Sequence, residues 1–441
     1  MTQGKILLPL VSFTIPLGLG NLFQLTYNAA DSVIVGKYVG EQALAAVGTS
    51  TPIMNIAILL ISGMCMGASV LMSSQYGAKD YDTLSRQIST TMLAGCGFSV
   101  VFSLLMLLLA NPVLRLIRVP ETAIPEAAAY LRIIFMGLIF TFMYNFLANT
   151  MRALGDSKTP LYFLVTSAFL NIFGDLFFVV VLRWGVAGSA IATVFSEGLC
   201  CLLCGIYIKK KIPLLCLGKK WWVFDKSLLG KTVSYGSTSA MQQVCLQLGK
   251  LIIQSVVNTQ GVAVMAAFTA VNRVDDFAYT PQQNIGHAMT TFLAQNKGAG
   301  HKERMKKGFQ TGLLIELVYS IGLFCVIWGL APQIMTLFAE DGDAQVVSLG
   351  ISYLHLISWM YILPGLTNGV QGFFRGIGDL KVTLYSTFMN MFGRVVAVFV
   401  MIRLLQMEFA SLAWANMVGW IVMLLFEVPL LVKSMRNGEC G

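Results

Sequence analysis

Residues 24 to 36 read QLTYNAADSVIVG, inside a stretch of roughly 12 to 38 that is otherwise apolar and long enough to cross a bilayer. An ionised Asp at mid-bilayer costs about 2.5 to 3.5 kcal/mol on insertion scales. Asp31 must therefore face a cavity or a partner, and acids so placed mark ion paths. Two further apolar stretches carry polar pairs at helical spacing. Asn171 and Asp175 sit four apart and thus on one face, and Thr193 and Glu197 do the same. Carboxylate, amide and hydroxyl oxygens are the ligands a hard cation accepts, and a carboxylate also takes a proton. The alternative is structural: such groups can hydrogen-bond across helices and hold them together.

The chain of 441 residues is 56% hydrophobic and 12% charged, with a mean hydropathy of +0.73, against about 25% charged in soluble domains. This is an integral membrane protein. About 20 apolar residues cross the hydrocarbon core as a helix. Twelve such stretches are centred near residues 25, 62, 99, 138, 172, 197, 244, 279, 319, 360, 393 and 421. A β-barrel would instead show period-2 alternation in units of about ten residues. The apolar run after Lys5 lacks a small-residue cleavage site and continues as a full-length helix, so no cleaved signal peptide is expected.

Orientation follows from Lys and Arg in the connections. Both termini and the connections near 76 to 87, 152 to 159, 209 to 231, 296 to 308 and 374 to 382 hold 21 of the 30, against 5 in the alternate set. Both termini are expected in the cytoplasm. The net charge of +9 is mostly this topology signal, not a nucleic-acid surface. The nine cysteines fall mainly in apolar spans, where Cys packs as a small core residue, and neither they nor the three histidines show metal-ligand spacing. No P-loop pattern is present, which excludes self-contained ATP coupling, and no interfacial acid or metal cluster suggests a lipid-modifying enzyme.

The two halves repeat one another. MRALGDSKTP (151 to 160) returns as FRGIGDLKVT (374 to 383), so Arg152, Gly155, Asp156 and Lys158 recur as Arg375, Gly378, Asp379 and Lys381 at an offset of 223. Upstream, Leu44, Ala45 and Ala46 match Met265, Ala266 and Ala267, and Gly77 and Ala78 match Gly298 and Ala299. NIFGD (171 to 175) returns as NMFGR (390 to 394), which sets Arg394 in the place of Asp175. Because six spans are an even number, the copies share one orientation and should be related by a pseudo-two-fold axis along the membrane normal, as in transporters that bind substrate between repeats. The expected division is an amino-terminal six-helix lobe (1–208), a cytoplasmic linker (209–231) and a carboxyl-terminal six-helix lobe (232–441).

With the duplicated Arg-x-x-Gly-Asp-x-Lys connection, ALAAVG (43 to 48), Q-x-GA (75 to 78), AAFTAVNRVDDFAYTP (266 to 281) and AQNKGAG (294 to 300), nearly the whole chain resembles the multidrug and toxic compound extrusion family, in its DinF-like branch. The resemblance implies a monomeric, cofactor-free antiporter of the plasma (inner) membrane. It would expel hydrophobic, often cationic organic compounds in exchange for protons or sodium ions. A flippase for lipid-linked precursors or polysaccharides, of the same superfamily, is the alternative. Relatives of the branch build an ion site from an Asp on the first helix, an Asn and Asp four apart on the fifth, and a Thr eighteen residues later. Here Asp31, Asn171, Asp175 and Thr193 fit that pattern, with sodium as one possible occupant. Tyr27 and Pro16 also match, Pro16 as a hinge, while Glu197 is a supporting addition. Two carboxylates close together in low dielectric stay charged only at great cost, so the set would take up a proton or a cation.

Other features are harder to assign. Ile252 stands in the repeat place of Asp31 and Arg394 in that of Asp175, so the carboxyl half carries the opposite sign and a second cation site is not expected there. Lys250, Glu316 and Glu427 also lie in apolar spans. Asp275 and Asp276 are expected near the start of the eighth span, at a cavity mouth or a helix end. Pro281, Pro364 and Pro429 join Pro16 as candidate helix interruptions. The 23 Met and 28 Phe allow an adaptable apolar cavity without showing one.

Overall fold

A computed structural model describes residues 1–117, 119–212, 222–338, 344–405, 409 and 411–436; part of the expected linker, 213–221, lies outside them. In lipid every backbone N–H and C=O must be satisfied within the segment, and among the described residues the apolar stretches all become helices. In order they are α1 (Leu7–Tyr38), α2 (Glu41–Gly77), α3 (Tyr81–Leu116), α4 (Ile124–Met136), α5 (Leu138–Ala153), α6 (Lys158–Asp175) and α7 (Gly185–Lys211) in the first half. Then follow α8 (Lys226–Val257), α9 (Val262–Gly298), α10 (Lys302–Phe338), α11 (Ala344–Ser358), α12 (Ile362–Ile377), α13 (Leu380–Phe399) and α14 (Ser411–Arg436).

Fourteen helices make twelve spans because the fourth and tenth stretches are each broken. Helices α4 and α5 meet at a bend of 47°, at Gly137, where a Cβ would stand 2.4 Å from a Val194 methyl. A 3-10 turn at Trp359–Tyr361 divides α11 from α12. Pro16, Pro281 and Pro429 each lie inside a helix that continues through them. Pro364 is the third residue of α12, a first-turn position where its missing N–H leaves no gap. Among the described residues nine helices, or ten spans counting the bent pair, are apolar enough to cross a membrane by composition alone. Helices α8 and α9 are long enough but carry too many polar groups.

The duplication is visible element by element. Helix α2 packs on α3, α4 and α5 as α9 does on α10, α11 and α12, and α6 pairs with α7 as α13 does with α14. Glycines of positive φ recur before α2 and α9 (Gly40, φ 114°; Gly261, φ 103°) and in the basic connection (Gly155, φ 94°; Gly378, φ 87°). A π-helical turn follows α6 at Leu176–Val181 and α13 at Val400–Leu404. Small residues permit the closest approaches, as in other membrane bundles. A Cβ on Gly372 of α12 would stand 2.7 Å from the Gly286 carbonyl of α9, and one on Gly67 of α2 would stand 2.5 Å from the Tyr235 backbone of α8.

The chain folds as two compact units, Ile15–Ala240 and Met1–Thr14 with Met241–Gly441. The first contains the core cluster around Phe135, Phe142 and Phe146. The second is built around Tyr353, Tyr361 and Met335, and includes the first residues of the chain because Arg304 gathers them. Its guanidinium donates to the carbonyls of Met1 (3.0 Å), Gln3 (3.0 Å) and Gly4 (2.7 Å).

Candidate functional site

Within the first unit, α1, α6 and α7 bring Asp31, Asn171, Asp175 and Thr193 together. Asp175 is the last residue of α6, immediately before the π turn, and is fully buried at 0% exposure. Its carboxyl neighbours the Asp31 carboxyl. Two neighbouring carboxylates in a buried setting stay charged only at great cost, and a shared proton or a cation relieves that cost. One turn earlier on the same face, the Asn171 amide donates to Thr193 Oγ1 at 3.2 Å. Thr193 Oγ1 in turn donates to the Ser189 carbonyl at 3.2 Å.

The oxygens left over define the site. Asn171 Oδ1 and both Asp175 oxygens are buried without a donor, a costly state for a polar group shut away from water. Asp31 accepts from Ser189 Oγ at 2.6 Å. Thus one turn of α6 faces α1 with three bare acceptors beside a second carboxyl.

Tyr27, one turn before Asp31, lies near the carboxyls of Asp31 and Glu197. Glu197 itself accepts from Thr141 Oγ1 of α5 at 2.5 Å. The buried Tyr130 of α4 closes the apolar floor with Val35, Val47, Val186 and Ala190. Nothing in the local spacing singles out Thr141 or Tyr130. Ser189 does carry a signal, since Ser189, Thr193 and Glu197 form one i, i+4, i+8 ladder along α7.

The second unit is organised differently. Asp275 is neither at a helix end nor near its start; it lies well inside α9, is buried, and accepts from Tyr353 Oη at 3.0 Å and Tyr361 Oη at 2.5 Å. Asn416 completes the chain by donating to Tyr353 Oη at 2.8 Å. Asp276 points the other way and pairs with Lys250 at 3.2 Å, both exposed, so Lys250 is not a buried charge. Glu427 is buried near Arg375, whose guanidinium donates to Gln371 Oε1 at 2.7 Å. Among the described residues no group of three or more His, Cys, Asp or Glu is arranged to hold a metal. Cys200 of the CCLLC run spends its thiol on the Phe163 carbonyl at 3.0 Å.

A doubled six-span bundle with an acidic oxygen cluster buried in one half is the architecture of a polytopic membrane transporter. The comparisons make this specific: residues 16–177 and 239–400 match the MatE family, and the chain belongs to it, among the multidrug and toxic compound extrusion transporters. Members are transporters, not enzymes. It is 32% identical over 386 residues to the probable multidrug resistance protein YpnP of Bacillus subtilis, covering 87% of this chain and 85% of that one. Identity to the probable multidrug resistance protein NorM of Thermotoga maritima is 23% over 423 residues, covering 94% and 89%. The fold is similar to a MATE crystal structure in complex with MaL6, with TM-score 0.92 at 22% identity, covering 100% of this chain and 98% of that one. It is likewise similar to a Pyrococcus furiosus transporter of the MOP superfamily, with TM-score 0.90 at 21% identity, covering 99% and 98%.

The matched segments begin at 16 and 239 and end at 177 and 400, both 223 apart. The π turns keep nearly the same spacing. Arg394 therefore stands opposite Asn171, and Val398 opposite Asp175. The NIFGD and NMFGR segments are similar in letters but offset by one helical turn.

Proposed function

We propose that this MatE transporter is a secondary antiporter that exports hydrophobic, often cationic organic compounds against an inward flow of protons or sodium ions. Asp31, Asn171, Asp175 and Thr193 form the coupling set, Tyr27 and Glu197 support it, and Pro16 is the hinge. The observation that carries this reading is the pair of facing carboxyls beside three donorless oxygens. Such a cluster is completed by a proton or a hard cation. An ion drives a conformational change only by binding the two states unequally, and a site of fixed charge supplies no such difference. The curated relatives' multidrug names support the substrate class, and the DinF-like motifs support the branch. The excess of Lys and Arg in one set of connections supports cytoplasmic termini for this multi-pass plasma-membrane protein, taken as a monomer; labelling of the 209–231 segment from outside intact cells would reverse that orientation.

The decisive experiment is efflux from proteoliposomes under separately imposed proton and sodium gradients. Asp31→Asn keeps the shape and removes the titrating group, so it should fold and bind substrate yet lose gradient-driven export. Ile252→Asn, at the repeat-equivalent place, should not. Asp31→Asn running at the parental rate with unchanged pH and sodium dependence would sink the assignment.

A further inference from the structure

The short segment before α8 is held by its backbone, not by its side chains. Trp222, Val223 and Phe224 are exposed, yet two buried hydroxyls of α3 grip the chain that carries them. Ser89 Oγ accepts from the Val223 N–H at 3.0 Å. Thr90 Oγ1 donates to the Val223 carbonyl at 3.2 Å and accepts from the Asp225 N–H at 3.1 Å. Asp225 then ties this strap to the helix that follows. Its Oδ1 caps α8 by accepting from the Ser227 and Leu228 N–H groups at 2.8 and 3.3 Å, while Oδ2 accepts from Arg86 of α3 at 2.5 Å. Further along, the buried Gln87 of α3 donates to Thr232 Oγ1 of α8 at 2.5 Å.

Beyond the strap, α8 meets α2 along a seam of small residues. A Cβ on Gly63 would stand 2.6 Å from Ala240 Cα, one on Gly67 2.5 Å from the Tyr235 carbonyl, and one on Gly236 3.2 Å from Met64 Cα. Gly63 and Gly67 lie four apart, as do Gly236 and Ala240, so each helix turns its smallest residues to the other. Such a seam has few interlocking side chains to resist parting. The polar strap at its end is what fastens it, through hydrogen bonds and an ion pair that are each weak in net terms.

The other repeat fastens its first helix in the same manner with different residues. The segment before α1 is held on α10, where Arg304 grips the carbonyls of Met1, Gln3 and Gly4 and lies 5.3 Å from the Phe292 ring centre. These grips are not copies. At the offset that pairs Gly77 with Gly298, Arg304 falls opposite Thr83, and Arg86 falls opposite Lys307. A hold present at both equivalent segments, yet built from unrelated side chains, points to the hold itself as the useful property. The unit boundaries fall nearby, since α1 passes from one unit to the other after Thr14 and α8 does so after Ala240. Any rearrangement between the units must therefore bend these two helices or free their leading ends.

We propose that the strap from Trp222 to Asp225 is a releasable latch: held on α3 by Arg86, Ser89 and Thr90 it keeps the leading end of α8 on α2, and its release, which uncovers the α2–α8 seam, is a required step of export. A permanent anchor would bury its aromatic side chains. This one leaves them out and holds on by N–H, C=O and carboxylate groups, which water satisfies equally well once the strap lifts. Neither position strands a polar group, so the segment has two workable states.

Two readouts on the full-length protein test the latch, and only the first rests on the antiporter reading above. In proteoliposomes, joining Ser89→Cys to Val223→Cys with a short bis-methanethiosulfonate should stop gradient-driven efflux, and dithiothreitol should restore it, while each single variant stays active through the same treatment. In detergent, a thiol reagent should reach Thr232→Cys slowly, as followed by mass spectrometry of the peptide that carries it, because Thr232 is 9% exposed. Adding Arg86→Glu, which sets a like charge against Asp225, should speed that labelling about 10-fold, whereas Arg86→Lys should leave it slow. A transporter joined at 89 and 223 that still runs at the parental rate overturns the latch. So does labelling of Thr232→Cys that is the same with Arg, Lys or Glu at position 86. Parental protein that exports nothing under either gradient defeats the antiporter reading instead, and the labelling then decides the latch alone.

Discussion

Asp175 and Asp275 are both buried acids of this transporter, one in each half, and they are held in opposite ways. Asp275 receives two phenolic hydroxyls, and Asn416 backs one of them, so its hydrogen bonding is complete without a further ion. Asp175 receives none and faces another carboxyl. A saturated acid ties helices together, whereas an unsaturated pair registers whichever ion arrives. The same residue type in the same fold is thus a fastener in one half and a sensor in the other. Burial alone would not separate the two cases; the inventory of donors does.

The contrast breaks most sharply on matched substitutions. Asp175→Asn should lower gradient-driven efflux at least about 100-fold, the range expected when a single coupling interaction of a few kcal/mol is removed, with Tm nearly unchanged. Asp275→Asn should do the reverse. Two phenols lose a charged acceptor, at a cost of about 1.5 to 3 kcal/mol, so thermal stability falls while the pH and sodium dependence of efflux stays parental. If Asp275→Asn alters the ion dependence as strongly as Asp175→Asn, the fastener reading fails.

A finer probe removes only the donor to Asp31. Ser189→Ala should shift the apparent affinity for the coupling ion by about 10-fold, one hydrogen bond's worth, without abolishing export. An unchanged ion titration would show that Ser189 merely packs.

The smallest effect lies outside the membrane, at the start of α3. There Asp80 caps the helix by accepting from the Thr83 N–H at 3.1 Å, while His301 occupies the equivalent place before α10. Asp80→Ala should cost about 0.5 to 1 kcal/mol, read as a slightly lower Tm, with transport intact. Hydrogen bonds from Thr83, side chain first and then backbone, hold the Asp80 carboxyl below its ordinary value of 3.8. Its contribution is therefore full above that value and fades as pH drops through the depressed one. A cap effect that instead grew on acidification would contradict this.

Helix existence was legible in the sequence because hydropathy reports transfer into lipid directly, and the repeat was legible because both copies kept their turn glycines. The breaks in the fourth and tenth spans were not, since Gly137 and Trp359–Tyr361 interrupt runs that remain apolar throughout. Pro16, Pro281 and Pro429, by contrast, sit inside helices that run on through them. Around the candidate site, spacing identified the acids on α1 and α6 but not what faces them. Which side chain donates to Asp31 or Glu197 depends on helix rotation and on contacts more than fifty residues apart. The placement of Arg394 failed for a related reason: four similar letters in a helix fit equally well one turn away.

The π turns at Leu176–Val181 and Val400–Leu404 also order events in the history of the chain. A π turn arises when one residue is inserted into an α-helix, and it is seldom kept where it serves nothing. Two independent insertions at matched places are a poorer account than one insertion in a single six-span ancestor, copied when the gene doubled. The turn after the fifth span is thus older than the duplication, while Asp31 and Glu316, facing Ile252 and Gly95 across the repeat, diverged after it. The ancestral half already had its irregular helix before the two copies acquired different acids.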